Sequence, residues 1–149
     1  MTSTNKVPVK IKLFDPELPV PEYKTADAAG FDLYARENMT VEAGKVVMVP
    51  LNIALEIPTN YWLLIAARSS LYKKGLHLIN GVGVGDPDYC GDTDEYRLLV
   101  HNFSSEDVKI TRGERLAQGI LMPRLQADFE LVKSLAHNQN RGGIGSTGS

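Results

Sequence analysis

The sequence predicts an all-β domain, a sandwich or jelly-roll-like barrel, with one short helix and a flexible C-terminal arm. Three observations support this prediction. About eight to ten short runs are apolar or alternate between apolar and polar residues, and Gly or Pro separates them. Only one segment carries the cap residues of a helix. From Asn138 onward Asn, Gly and Ser replace the apolar residues that a core needs. We therefore expect a barrel over 1–134 and an arm over 135–149.

Composition limits the possible functions. A chain of 149 residues with 43% hydrophobic and 23% charged residues is long enough for one globular domain with a core. The net charge of -2 argues against a nucleic-acid polymer as partner. No apolar run approaches the roughly 18 residues of a membrane span, and no signal-peptide pattern is present. The single cysteine, Cys90, favours a reducing compartment. We expect a cytoplasmic protein, or one of the host cytoplasm or nucleus if its source is viral or eukaryotic.

The first strands follow from alternation. Residues 7–13 alternate as a half-buried strand, and Pro8 favours the edge of a sheet. In 31–35, Phe, Leu and Ala alternate with polar positions, so Asp32 is an outward carboxylate on a strand. At this point an exposed strand aspartate without a function is the favoured explanation of Asp32.

The middle and end of the chain carry further strand patterns. Apolar residues that alternate between 41 and 57 predict a half-buried strand structure, whereas the apolar run 61–67 predicts a strand buried on both faces. We also expect the acidic stretch 92–95 to be an exposed turn. The remaining predicted strands are 96–102, 108–111, 116–123 and 128–133.

The one predicted helix starts at a group of polar residues. Arg68, Ser69 and Ser70 follow the apolar run, and two lysines precede Gly75 as a terminator. Serines and an arginine at a helix start suit phosphate, because free N–H groups and positive charge point outward. An ordinary capped helix is the alternative.

The stretch 80–91 combines four glycines with two carboxylates that flank a proline. Glycine alternating with valine predicts a strand, and Asp86 to Tyr89 predicts the turn after it. Such a hairpin offers bare backbone to a flat polar ligand, next to a carboxylate and a ring. A tight turn with solvated aspartates is the alternative.

Two other segments have the composition of a ligand site. Gln118 interrupts the apolar strand 116–123, and a buried amide needs a partner in the core or in a site. Arg141 lies among glycines and hydroxyls, a composition typical of a loop that wraps phosphate with backbone N–H groups. A disordered terminus has the same composition.

Taken together, these segments resemble the trimeric dUTPases (dUTP diphosphatases). The resemblance covers residue 26 to the C-terminus, in the order of the family. The matching segments are Ala29-Gly30-Phe31-Asp32-Leu33, Arg68-Ser69-Ser70-Leu71, Asn80 through Gly91, Gly113-Glu114-Arg115-Leu116-Ala117-Gln118, and Arg141-Gly142-Gly143-Ile144-Gly145-Ser146-Thr147-Gly148.

The resemblance implies a jelly-roll-like, β-clip barrel and a homotrimer with three active sites shared between subunits. One subunit would supply the loop that binds uracil, a neighbour the first, second and fourth segments, and the third a closing arm. The implied reaction is the hydrolysis of dUTP to dUMP and diphosphate with Mg²⁺. It limits uracil incorporation into DNA and supplies dUMP for dTMP synthesis.

The resemblance also implies how the nucleoside is bound. The backbone of 80–86, with Gly83 and Val84, and the side chain of Asn80 would pair with the edge of uracil. The Tyr89 ring would lie under the deoxyribose, where a ribose 2′-OH would collide.

Roles in the reaction follow from the same resemblance. Asp86 would activate the attacking water, with Gln118 at the α-phosphate or the water. Asp32 would bind Mg²⁺ through water, the ion being held mainly by the phosphates. The other residues would bind the phosphates or close over the nucleotide: Arg68, Ser69, Ser70, Arg141, Gly143, Ile144, Gly145, Ser146 and Thr147.

Three positions depart from the family pattern. Ile144 stands where an aromatic residue usually stacks on uracil, so it covers the base without aromatic stacking. Gly85 stands where a branched apolar residue usually precedes the catalytic aspartate. Residues 92–95 form a short insertion beside the site.

Two other functions are compatible with parts of the pattern. The related dCTP deaminases share an Arg-Ser-Ser segment but need a glutamate base, and 80–91 contains none. A non-catalytic nucleotide-binding module could keep the fold, although Asp86, Gln118 and Arg141 argue against it. Ammonia released from dCTP would support the deaminase, and diphosphate released from dUTP would support the hydrolase.

Overall fold

The computed structural model describes residues 5–137, 139–145 and 147–148. Within these residues the chain forms eleven strands and one 3-10 helix, Leu71–Lys74. The strands are β1 Lys10–Leu13, β2 Phe31–Tyr34, β3 Met39–Val41, β4 Val46–Pro50, β5 Ile53–Glu56, β6 Tyr61–Ala67, β7 Leu76–Leu78, β8 Gly83–Gly85, β9 Arg97–Asn102, β10 Val108–Ile110 and β11 Arg115–Pro123.

The strands pair antiparallel in four small sheets. The largest has the order β2-β11-β6-β8, and a second has the order β4-β9-β7. The pairs β1-β5 and β10-β3 complete the barrel. The predicted all-β, jelly-roll-like fold is confirmed, and β1 is an edge strand as Pro8 predicted.

Strand alternation builds one core between the sheets. Ile53, Leu55 and Ile57 point inward from one strand and the residue after it, as their spacing predicted. Each aliphatic side chain buried in this way contributes about 1.5–3 kcal/mol. Other fully buried side chains of the core are Leu33, Leu51, Leu63, Leu76, Leu98, Ile110 and Leu116.

The strand β6 differs from its prediction on one face. Leu63 and Ile65 are buried, whereas the alternate residues from Trp62 onward are only half-buried. An antiparallel sheet can leave one face partly open to solvent, and the apolar run did not reveal this difference. Because of it, Trp62 lies at the surface, where its indole N–H donates to the Pro123 carbonyl at 3.2 Å.

The predicted strand at 128–133 is wrong. After β11 the described residues contain no helix or strand. Leu125, Phe129 and Leu131 are at least 92% exposed, so no sheet or core contact holds them in this chain. Alternating apolar residues predict a strand only where a partner surface exists to bury them.

The acidic turn 92–95 is anchored at its last residue rather than exposed throughout. The Glu95 side chain is 3% exposed and accepts two hydrogen bonds from Arg36, at 2.7 and 3.0 Å. It also accepts the Asn52 backbone N–H at 3.0 Å. The hydrogen bonds between Arg36 and Glu95 raise the pKa of the Arg36 guanidinium above its ordinary value. The insertion is therefore fixed to the core by a paired charge.

In the described part of the chain, no helix has both the length and the apolar composition to cross a membrane.

The Arg36–Glu95 pair makes a prediction about stability. Glu95→Ala should lower the free energy of unfolding by about 1–3 kcal/mol, because it leaves the buried Asn52 backbone N–H unsatisfied and removes two hydrogen bonds from Arg36. Urea unfolding measures this loss. Glu37→Ala is the matched control: it removes the exposed carboxylate 3.1 Å from the same arginine and should change stability by less than about 1 kcal/mol. Equal effects of the two variants would contradict the assigned role of Glu95.

Candidate active site

The ends of three neighbouring strands surround an open cavity of about 310 Å³. It brings together four side chains that the sequence predicts as site residues in three separate segments: Asp32, Arg68, Ser69 and Gln118. Its lining consists of Lys24, Ala28, Gly30, Asp32, Arg68, Ser69, Arg115 and Gln118.

Sheet register explains why these side chains meet. Gln118 on β11 stands opposite Asp32 on β2 and opposite Ala66 on β6. Arg68 follows the last residue of β6, so it emerges at the same end of the sheet. The Gln118 amide donates to the Ala67 carbonyl at 3.1 Å, which fixes the side chain. Gly30 packs closely beside it: a Cβ there would lie 2.8 Å from Gln118 Oε1 and would displace the end of the glutamine side chain.

Two guanidinium groups hold the Asp32 carboxylate. Arg68 Nε lies 3.2 Å from one oxygen and Arg115 Nη1 lies 3.1 Å from the other. The Asp32 side chain is 12% exposed, and the two arginines are about three times as open to solvent. Two positive groups around one negative group leave one formal positive charge. The cluster therefore suits an anion with several oxygens, such as a phosphate chain.

A β-bulge brings Arg115, which precedes the predicted strand 116–123, into the cavity. In a regular strand, residues 115 and 118 would point to opposite faces. The register shifts between Arg115 and Ala117, so that Arg115 stands opposite Tyr34 while Gln118 stands opposite Asp32. Tyr34 and Asp32 share a face of β2, and the bulge consequently returns Arg115 to the face of Gln118.

The serines lie next to this cluster. Ser69 and Ser70 are exposed between β6 and the 3-10 helix. Ser70 occupies the position before the helix without a side-chain cap bond, and Gly75 ends the helix with φ 82°. The predicted helix ends are confirmed, and the helix type is 3-10. Ser69 lines the cavity, and Ser70 is the next residue along the chain.

The glycine-rich stretch crosses between sheets instead of forming a paired hairpin. Leu76–Leu78 pairs with β9, whereas Gly83–Gly85 pairs with β6. The connection turns at Gly81, whose φ of 75° is typical of glycine. In the described part of the chain β8 is the last strand of its sheet, so its outer edge presents backbone N–H and C=O groups. Asn80 is exposed at the turn, and Val84 is 64% exposed on β8.

Asp86 and Tyr89 lie in the turn after β8. The Asp86 side chain is exposed, and the backbone carbonyl of Asp86 accepts the Tyr89 N–H at 3.1 Å. The Tyr89 hydroxyl donates to the Glu95 carbonyl at 2.9 Å. The turn is thereby tied to the insertion and, through Glu95, to the core.

One chain does not bring Asp86 to the arginine cavity. Gly85, the residue before Asp86, stands opposite Leu63 on β6. Arg68 lies five residues further along the chain, which corresponds to about 17 Å at about 3.4 Å per residue. The turn and the cavity therefore lie at opposite ends of the same strand.

The C-terminal candidates also lie apart from the cavity. Arg141, Gly143, Gly145 and Thr147 are exposed, and Ile144 is fully exposed with φ 41°. None of them lines the cavity in the described part of the chain. Ser146 lies outside the described residues.

The described residues contain no cluster of three or more His, Cys, Asp or Glu side chains that could hold a metal ion. Asp32 is the single carboxylate in the lining of the cavity. One carboxylate beside two guanidinium groups fits the way in which Mg²⁺ binds with nucleotides, where phosphates and waters supply most ligands.

Comparison with known proteins points to one family. The family model described as dUTPase matches residues 16–148. A curated deoxyuridine 5'-triphosphate nucleotidohydrolase of Nautilia profundicola is 37% identical over 94% of this chain and 98% of its own length. A second, from Anaplasma marginale, is 39% identical over 89% of this chain and 90% of its own length.

Solved structures give the same answer. The crystal structure of a Streptococcus mutans dUTPase superposes with a TM-score of 0.73 at 34% identity, covering 80% of this chain and 98% of that chain. A Staphylococcus bacteriophage 80alpha dUTPase, solved as a G164S mutant with dUpNHpp, has a TM-score of 0.83 at 22% identity. It covers 98% of this chain and 100% of that chain, and it supports the fold alone.

The charge of the cavity can be tested with metal-free tripolyphosphate. Asp32→Asn keeps the shape of the side chain but frees two guanidinium groups, so binding should tighten severalfold at low salt. Arg115→Ala removes a positive charge and should weaken binding by a similar factor. Isothermal titration calorimetry measures both. Shifts in the same direction for the two variants would show that the cluster does not bind the anion.

Proposed function

The chain belongs to the dUTPase family and is a dUTP diphosphatase, and from that premise we propose how its own residues hydrolyse dUTP to dUMP and diphosphate. The observation that carries the proposal is the arginine cavity at the ends of β2, β6 and β11, since it has the charge and the hydroxyls for a triphosphate. The bare outer edge of β8 is the complementary half, which binds the base.

Uracil presents an acceptor, a donor and an acceptor along one edge. The backbone of Gly83 and Val84 on the free edge of β8, together with the Asn80 amide, supplies the matching groups. Cytosine would leave buried polar groups mispaired, which costs about 1–3 kcal/mol for each group. Tyr89, held by its hydrogen bond to Glu95, lies under the deoxyribose and excludes a ribose 2′-OH.

The triphosphate lies in the arginine cavity. Arg68 and Arg115 provide charge, and Ser69 and Ser70 donate hydroxyl hydrogen bonds to phosphate oxygens. Gln118 keeps its amide N–H on the Ala67 carbonyl and directs its oxygen to the attacking water or its amide to the α-phosphate.

Mg²⁺ fits this cavity as a partner of the substrate. The ion would be held mainly by the phosphates, with Asp32 on its water shell, and when bound it supplies positive charge that makes phosphorus more electrophilic. Arg68 and Arg115 hold the Asp32 carboxylate in the cavity by their direct contacts.

Asp86 is the general base. Its carboxylate takes a proton from a water that attacks the α-phosphorus, and the bond to the bridging oxygen breaks to release diphosphate. The exposed position of Asp86 at the end of β8 suits this role, because the general base then lies on the same short segment that binds the nucleoside.

The active sites are shared in a homotrimer. The separation of about 17 Å along β6 keeps Asp86 away from the arginine cavity of its own chain, so Asp86 does not reach phosphates bound there. The β8 edge and Asp86 of one subunit therefore face the arginine cavity of a neighbour. Exposed apolar side chains at the β4-β9-β7 sheet support assembly: Val46 and Met48 on β4 and Phe103 directly after β9 are each at least 43% exposed.

The C-terminal arm closes the site. Arg141 binds the γ-phosphate, Ile144 covers the base, and the glycines with Ser146 and Thr147 wrap the phosphates. Closure excludes water and aligns the nucleotide for in-line attack. Full exposure of Ile144 in the single chain is consistent with an arm that binds on another subunit.

Deamination of dCTP is disfavoured by the environment of Glu95, the glutamate nearest in sequence to 80–91. Glu95 is buried and bound by Arg36 and by the Asn52 N–H. It is therefore not available as a proton acceptor beside the base.

Asp86→Asn tests the general base. Turnover should fall about 10²–10⁴-fold, while the Kd for a non-hydrolysable dUTP analogue stays within about threefold, because only proton transfer is lost. Asp92→Asn is the control, since it removes a 95% exposed carboxylate from the same loop and should keep the wild-type rate. Wild-type turnover of the Asp86 variant would remove this residue from the mechanism.

Mixed trimers test whether sites are shared. Asp86→Asn and Arg68→Ala subunits should each be inactive alone but should regain activity when they are refolded together. Random 1:1 assembly gives about a quarter of the sites both intact halves. Recovery of about a quarter of the wild-type rate is the expected result. A mixture as inactive as its parents, with mixed oligomers shown by mass spectrometry, would refute sharing between subunits.

Removal of 139–149 tests the arm. Turnover should fall at least about tenfold without a change in the urea midpoint, because the described residues of this segment are exposed. Ile144→Phe is the matched gain-of-contact variant and should equal or exceed wild type by adding aromatic stacking on the base. Full activity of the truncated chain would reject the arm as a lid, and a large loss for Ile144→Phe would reject its placement over uracil.

A further inference from the structure

The strand that binds the base rests directly on Tyr96, the residue that follows the insertion. A Cβ added to Gly85 would lie 2.6 Å from Tyr96 Cε1 and 3.0 Å from its hydroxyl oxygen. Contacts shorter than 3.0 Å require one of the two groups to move. Gly85 is buried, and the Tyr96 ring occupies the volume that a side chain at 85 would otherwise fill.

Tyr96 has little freedom to yield. Its side chain is 4% exposed. Its N–H donates to the Ile53 carbonyl and its carbonyl accepts the Leu51 N–H, both at 2.9 Å. The preceding residue, Glu95, is held by two hydrogen bonds from Arg36. Any group that collides with the ring would therefore displace β8 rather than Tyr96.

Tyr96 also contacts the ring expected under the sugar. The Tyr89 and Tyr96 rings meet edge to face, with centroids 5.4 Å apart and planes at 71°. Tyr89 is held on its other side by the bond from its hydroxyl to the Glu95 carbonyl. One anchored dipeptide, Glu95-Tyr96, thus sets the position of Tyr89 and of the backbone that leads into Asp86.

The hydroxyl of Tyr96 does not explain these contacts. It is the buried side-chain polar atom that lacks a hydrogen-bond partner in the described part of the chain. Burial, with smaller contributions from Tyr89 and Asp86, raises the pKa of Tyr96 to about 12, so the group stays neutral at physiological pH. The ring, rather than the hydroxyl, supports the site.

We propose that Tyr96 is a positioning residue for dUTP hydrolysis, whose ring sets the height of β8 below the base and the orientation of Tyr89. The proposal rests on the proposed roles of Asp86 and Tyr89. It explains how a glycine can precede the catalytic aspartate: the Tyr96 ring supplies the stiffness that a side chain at 85 would give. The position of Asp86 then depends on the complementarity between Gly85 and the Tyr96 ring.

A volume exchange tests the proposal. Gly85→Ala should lower kcat about tenfold with a smaller change in KM, because it displaces the strand that carries Asp86. Adding Tyr96→Leu removes the colliding Cε1 and the hydroxyl. The double variant should therefore have a kcat at least about threefold higher than that of Gly85→Ala. Tyr96→Leu alone should lower the preference for dUTP over UTP about tenfold, since Tyr89 loses its neighbour.

Two further variants separate positioning from stability. Tyr96→Phe keeps the ring, so kcat and the dUTP preference should stay within about twofold, with an unchanged or higher melting temperature. Ile110→Val truncates a buried residue on β10 and should lower the melting temperature without changing the preference. Tyr96→Phe thus tests the hydroxyl without changing the ring, and Ile110→Val tests core stability without changing Tyr96.

The proposal is overturned if Gly85→Ala keeps the wild-type kcat, if the double variant is no faster than Gly85→Ala, or if Tyr96→Leu behaves like Ile110→Val. Failure of the proposed function is distinguishable from these outcomes. It would show as undiminished turnover by Asp86→Asn, whereas an inactive Asp86→Asn with a fully active Gly85→Ala defeats only the role of Tyr96.

Discussion

The geometry of one antiparallel strand constrains the whole enzyme. Strand β6 carries Leu63 opposite Gly85 near its beginning and leads to Arg68 after its end. A strand cannot fold back on itself, so Asp86 and the arginine cavity remain about 17 Å apart in one chain. The proposed reaction, in which Asp86 acts on a phosphate held by Arg68, therefore needs a second chain. Within each chain, the rigid sheet fixes each half before any substrate binds.

Most of the fold could be predicted from the sequence, because alternation and breakers report directly on strands that bury one face. Ile53 and Leu55 are buried where their spacing placed them, and the ends of the short helix follow Ser70 and Gly75. The prediction of a strand at 128–133 was wrong for a physical reason. Its apolar residues are exposed in one chain, and a sequence does not indicate whether the surface that covers them belongs to another chain.

The candidate site could be predicted only in part. Four of the eight lining residues had been selected from their segments, among them Asp32 and Gln118, which share a register position. Arg115 required knowledge of the bulge that reverses its direction. Glu95 looked like a solvated acidic residue, since no local pattern shows that Arg36, 59 residues away, pairs with it. Complementarity between Gly85 and Tyr96 is likewise a property of packing, invisible to periodicity.

The central claim is that one nucleotide spans the β8 edge of one subunit and the arginine cavity of another. A crystal structure with a non-hydrolysable dUTP analogue and Mg²⁺ tests it most directly. The account predicts uracil within hydrogen-bond distance of the 80–85 backbone of one subunit and phosphate oxygens within reach of Arg68 and Arg115 of its neighbour. A nucleotide whose base and phosphates contact a single chain would contradict it.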